Sequence, residues 1–227
     1  MTSKLRAQGR PAGKTGEELI SVAREVFLEY GYERASMDEI AKRASISKAS
    51  LYREHPAKTA LYAAVVRHWS VAGRNAMRPA LERLRMNPEI RAGLIELAET
   101  MQRGILSPPV LAMRRLVTAE APAHPEVAAD YLQESWNTNI GDLAATLQFI
   151  STEGRLTLDD AAAAADQFTW LVIGAPLNAS MLDGQPTDRP AAPAVDLFLA
   201  GYAPERSELA ALRSKTAQAR PGNEKAE

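Results

Sequence analysis

The sequence predicts an all-α protein, and three features carry that expectation. Apolar residues recur at helical spacing along most of the chain, capping residues and prolines mark helix starts, and no stretch alternates as a half-buried strand would. The expected architecture is an N-terminal three-helix unit holding a helix-turn-helix, followed by a C-terminal helical bundle.

The first helix is expected over Thr15 to Tyr30, where Leu19, Val22, Ala23, Val26, Phe27 and Tyr30 form one apolar stripe. Thr15 with Glu18 reads as a capping box, and Gly31 as a left-handed terminator. Two short helices follow between Ser36 and Lys58. Ser36 and Ser47 are their caps, Glu39 completes a second box, and Ile40, Ala44, Ile46 and Leu51 point inward. Lys48, Ala49, Ser50, Tyr52 and Arg53 then fall on or beside the outward surface of the third helix, a candidate reading head for DNA.

From Thr59 onward helices are expected at Leu61 to Arg78, Pro88 to Ile105, Pro109 to Glu120, Pro125 to Ile150, Asp159 to Leu177 and Ala194 to Tyr202. Asn87-Pro88-Glu89 is a helix start, and Pro79 is expected to end or kink the helix before it. The stretch FTWLVIGAPL is apolar on nearly every face, so it must be covered on every face. A second copy of the chain is the simplest cover. Phe168, Leu171, Val172, Ala175, Val195, Phe198, Leu199 and Tyr202 are therefore the expected dimer interface.

The 227 residues are 46% hydrophobic, enough for a sizeable core, and carry a formal net charge of -1. That near-neutrality hides an asymmetry. Residues 1–60 hold 11 Lys and Arg against 8 Asp and Glu, and the remainder holds 16 against 20. The basic excess sits with the helix-turn-helix. The chain has no cysteine, which excludes disulfides, thiol switches and thiolate metal sites. No apolar run approaches the roughly 20 residues of a membrane span, and no signal-peptide core follows the basic start, so cytoplasmic residence is expected. There is no glycine-rich phosphate loop and no nucleophile motif, so an enzyme is not expected. Neither cofactor nor metal is expected; Glu120 and His124 have helical spacing, but Pro122 and Pro125 interrupt it.

The pattern from Phe27 to Leu61, F-x-x-x-G-Y-x-x-x-S-M-D-E-I-A-x-x-A-x-I-S-K-A-S-L-Y-R-x-x-P-x-K-x-x-L, resembles the TetR family of transcriptional regulators. RRLVTAEAPAHPEVA and PAVDLFLAGYA are similar to the AefR-like C-terminal subgroup. The resemblance implies a basic flexible arm at 1–14, a DNA-binding domain at 15–60 with its motif at about 36–55, a ligand-sensing and dimerising domain at 61–204, and a polar tail at 205–227. It implies that Lys48 and Ala49 face base edges and that Ser50, Tyr52 and Lys58 contact phosphates of double-stranded operator DNA, with Ser36 offering another phosphate contact. Lys14, Thr15, Met37 and Arg53 complete the expected set. For a small hydrophobic effector the expected pocket is Trp69, Met101, Ile105, Met113, Leu116 and Trp136, and Arg114 with Arg115 could attract an anionic one. Release of the operator on ligand binding would make the homodimer a repressor. Two departures stand out: Ser45 replaces the usual turn glycine, and Glu54-His55 replaces the usual His-Phe.

Overall fold

The computed structural model describes residues 13–182 and 189–204, so the expectations for most of the arm and for the tail lie outside the described residues. Helix α1 (Glu17–Arg34) buries Leu19, Val22, Ala23, Val26 and Phe27 of the expected stripe and leaves Tyr30 half-buried. Gly31 breaks it at φ 73°, a conformation open to glycine at little cost, and folds Tyr32 back so that its ring stacks on Phe27 with centroids 6.0 Å apart. The Thr15 capping box does not form. Gly16 is the N-cap and no side chain caps the helix.

Helices α2 (Met37–Arg43) and α3 (Lys48–Glu54) follow, and then α4 (Lys58–Met86) runs unbroken through Pro79. Pro79 does not end the helix. A proline inside a helix removes one backbone hydrogen bond at a cost of about 3 kcal/mol. Here α4 is anchored on both sides of it, by Leu61, Tyr62, Val65 and Val66 before and by Ala80, Leu81 and Leu84 after. Fully burying each large side chain of such a set contributes about 1.5–3 kcal/mol, which outweighs one lost bond.

Helix α5 (Ile90–Ile105) starts where Asn87 Oδ1 accepts from the Glu89 N–H at 3.0 Å, and α6 (Pro108–Glu120) starts on a proline. The segment expected as one helix from Pro125 is α7 (Pro125–Tyr131), a π-helical turn (Leu132–Asn137) and α8 (Thr138–Thr152) in succession. Helix α9 (Ala161–Leu182) is capped by Asp160, whose Oδ1 accepts from the N–H groups of Ala162 and Ala163, and α10 (Ala192–Tyr202) closes the described fold.

Two hydrophobic cores organise these elements. The first gathers α1, α2, α3 and the start of α4, together with Met113, Leu116 and Val117 of α6 and with Val127 and Tyr131 of α7. The second gathers the end of α4 with α5, α8, α9 and α10 around Leu84, Leu97, Leu147, Phe168, Ile173 and Phe198. A boundary at residue 61 therefore cuts through the first core, because α6 and α7 supply part of its floor. Arg91 on α5 ties α10 down with two bonds to Asp196, at 2.7 and 3.0 Å.

Candidate nucleic-acid interface and sensor cavity

The helix-turn-helix is built from its caps outward. Ser36 Oγ accepts from the Glu39 N–H at 3.1 Å and Ser47 Oγ accepts from the Ser50 N–H at 3.0 Å, so each short helix begins on its expected serine. Between them the Ile46 N–H reaches the Ala41 carbonyl and the Ser45 N–H reaches that of Lys42, the paired bonds of a Schellman ending. Ser45 takes the left-handed position at φ 58°, so a residue with a Cβ carries strain of roughly 1 kcal/mol there. The Lys14 N–H donates to the Ala44 carbonyl at 2.9 Å, and Gly13 lies so close to the turn that a Cβ on it would sit 2.6 Å from Ile46 Cγ2.

Arg43 staples α2 to α1. Its guanidinium donates to Glu39 at 2.7 Å, to Glu29 at 2.6 Å and to the Tyr30 hydroxyl at 2.9 Å. The hydrogen bond from Arg43 holds the Glu29 carboxyl below its ordinary range, while the bond to Glu29 raises the Tyr30 hydroxyl.

The outward face of α3 carries exposed Lys48, Ala49, Tyr52 and Arg53, with half-buried Ser50 beside them. Exposed Ser36, Lys14 and Thr15 complete the polar surface, as the sequence suggests. Lys48 is paired with Asp38 at 2.5 Å; both are solvent-exposed, so opening the pair costs at most about 1 kcal/mol. Glu54 has no ion-pair partner among the described residues.

Two of the expected DNA contacts are corrected by their surroundings. Met37 is buried in the first core. Lys58 Nζ donates to the carbonyls of Tyr32, Glu33 and Ala35 at 2.9, 3.1 and 3.3 Å and lies 4.4 Å from the centre of the Tyr32 ring. An ammonium has three donors, and these bonds use them to close the C-terminal end of α1.

A cavity of about 320 Å³ opens between α4, α5, α6, the π turn, α8 and α9. Trp69, Met101, Ile105 and Trp136 line it as expected, with Met77 and Tyr131. Met113 and Leu116 do not. They lie on the opposite face of α6, packed into the first core. The sequence reading missed Asn139 and Thr169, which reach the wall only because separate helices converge there; of the two arginines it named for an anionic effector, Arg114 lines the cavity.

The expected dimer interface also divides. Phe168, Val172, Val195 and Phe198 are buried inside the protomer, the two phenylalanine rings edge to face at 5.1 Å. Leu199 and Tyr202 pack partly buried against the same core, and the Tyr202 hydroxyl donates to Gln167 at 2.8 Å. Leu171 and Ala175 face outward, in line with Leu182 and beside Trp170. Among the described residues no helix is long and apolar enough to cross a membrane.

The comparisons agree with this division of labour. Residues 19–65 match the family described as bacterial regulatory proteins of the tetR family, and residues 92–204 match the AefR-like transcriptional repressor C-terminal domain. The HTH-type transcriptional activator FasR of Mycolicibacterium smegmatis is 42% identical over 77 residues, 29% of this chain and 35% of that protein. The A-factor receptor protein of Streptomyces griseus is 38% identical over 55 residues, 24% of this chain and 20% of that protein. The chain thus spans about a third or less of these curated relatives. A solved TetR-family regulator from Mesorhizobium loti superposes with a TM-score of 0.79 at 24% identity, over 82% of this chain and 96% of that one. The flavonoid-responsive regulator FrrA superposes with a TM-score of 0.67 at 27% identity, over the same shares. Caps, turn, fold and matched domains lead to one conclusion: the chain belongs to the TetR family of transcriptional regulators and is not an enzyme.

Proposed function

We propose that the chain works as a homodimeric repressor, bound to a pseudo-palindromic operator and released from it when a small, largely hydrophobic molecule enters the cavity. The observation that carries this reading is the double duty of α6. Val110 and Arg114 line the cavity, whereas Met113, Leu116 and Val117 pack beneath the DNA-binding helices. A ligand that shifts α6 must repack the floor of the reading head. The effector then acts by binding the DNA-incompatible arrangement more tightly than the compatible one. Repression, rather than the activation named for FasR, rests on the AefR-like C-terminal domain, and the name of FrrA supports a ligand-responsive reading.

Lys48 and Ala49 read bases in this scheme, and Lys14, Thr15, Ser36, Ser50, Tyr52 and Arg53 hold the phosphates. The second copy docks on the outward faces of α8 and α9, where Phe149, Leu171, Ala175 and Leu182 are exposed. Two such heads need half-sites about 34–36 Å apart or a multiple of that. An operator-bound protein of this kind works in the cytoplasm. Selection of bound sequences from random duplex DNA, repeated at two salt concentrations, tests the proposal. An inverted repeat is expected; a flat sequence profile would overturn it.

A further inference from the structure

The cavity's polar groups identify a chemical class of ligand, an inference that rests on the cavity being the effector site. Four hydroxyls on its wall are already committed. Ser70 donates to the Val66 carbonyl at 3.0 Å, Thr100 to Glu96 at 2.8 Å, Ser107 to Gly104 at 2.8 Å and Thr169 to Ala165 at 2.8 Å. They turn their hydrogen bonds back on the helices, and the hydroxyls of Tyr131 and Ser135 remain beside Arg114 and Asn139 as polar groups of the wall. Two buried polar atoms on the wall have no partner, Arg114 Nε and Asn139 Oδ1.

Arg114 is unusual among the arginines packed inside this protein. Arg74 Nε also lacks a hydrogen-bond partner, but Arg74 pairs with Glu134 at 3.7 Å, and Arg115 donates to the Ser180 carbonyl. Arg114 has no carboxylate within reach among the described residues, and no Asp or Glu lines the cavity. Its guanidinium lies 5.0 Å from the centre of the Trp136 ring. A guanidinium keeps its charge at any working pH, so a partly buried one is best satisfied by an anion, which it holds through two parallel N–H bonds.

Asn139 supplies the opposite need. Its Nδ2 donates to the Ser135 carbonyl, which fixes the amide so that Oδ1 is left as an acceptor. The π-helical turn sets this up, because it rotates Ser135 and Trp136 onto the wall one turn before Asn139. Trp69 and Trp136 add flat apolar surfaces to the same wall.

We propose that the cavity takes an aromatic organic anion bearing a free hydroxyl, its carboxylate held by Arg114 and its hydroxyl by Asn139. Isothermal titration of the full chain with 4-hydroxycinnamate, its methyl ester and cinnamate tests this at neutral pH. The acid is expected to bind at least about tenfold more tightly than the ester, as a charge-assisted pair requires. Arg114→Gln should erase that preference while ester affinity stays as in the unaltered protein, which shows an intact cavity. Arg114→Lys should restore part of it. Removing the hydroxyl should cost about three- to tenfold, a difference that Asn139→Leu abolishes. Equal affinity for acid and ester, a preference that survives Arg114→Gln, or no binding of any of the three would overturn the proposal. Operator release is read separately: an acid that binds the cavity but leaves DNA bound refutes the effector role and keeps the ligand class.

Discussion

The two cores are built from the same kinds of side chain but do different work. The first, under the DNA-binding helices, is a floor for α1, α2 and α3, whose outer faces are polar, so each amphipathic helix has one inside and one outside. The second surrounds α9 and α10, which are apolar on nearly all sides, and part of that surface remains exposed at Leu171, Leu182 and Leu197. The difference teaches that a polar stripe, more than an apolar one, tells which way a helix faces. Where the stripe is missing, core and interface look alike.

The largest test separates those two roles within α9. Phe168→Ala should cost about 3–5 kcal/mol of folding stability in a denaturant titration, because it leaves a cavity in the second core. Leu171→Ala should stay within about 0.5 kcal/mol for the protomer and shift sedimentation toward monomer. The reverse pattern would break the assignment of inside and outside.

Next in size is Lys58, whose ammonium closes the end of α1. Lys58→Met should lower stability by about 1.5–3 kcal/mol, the range for hydrogen bonds to a charged group, and leave the salt dependence of DNA binding unchanged. A slope shallower by about one counterion would make Lys58 a phosphate contact instead.

On the reading face, Lys48→Ala should change the preferred base at one position by about 1–3 kcal/mol, whereas Tyr52→Phe should weaken all sequences alike. Equal loss on every operator for both variants would remove Lys48 from base recognition. Glu54→Gln is a smaller, opposite test. Deleting an unpaired carboxylate at the end of α3 should raise DNA affinity several-fold at low salt, with the gain fading as salt screens it; unchanged affinity would show that Glu54 points away from the phosphates.

The smallest expected effect concerns acid. Glu29 beside the first core and Asp196 beside the second are both held below their ordinary range by hydrogen bonds, from Arg43 and Arg91. A depressed carboxylate stabilises the fold above its unfolded value, about pH 4, and loses that contribution as pH falls through the folded value. Glu29→Gln and Asp196→Asn should each flatten the acid limb of a thermal-melt profile slightly. No change in either would show that solvent screening cancels these exposed pairs.

What was legible in the sequence follows the same division. Ser36, Ser47 and Gly31 announce their structural roles because capping and positive φ depend on a residue and its immediate neighbours. Thr15 misled, since Gly16 takes the N-cap, and so did Pro79, since packing on both sides of it outweighs one lost bond. Phe168 and Val172 could not be told from Leu171 and Ala175, because no polar neighbour marks a face between them. Arg114 and Asn139 lie on different helices, and only packing brings both to one wall.

Gly13 has a practical consequence for anyone handling this protein. It is seated against Ser45 and Ile46, so the first twelve residues join the body at the turn of the reading head. A larger residue at position 13 would therefore press on the turn that joins α2 to α3, and every affinity measured at the reading head would register it.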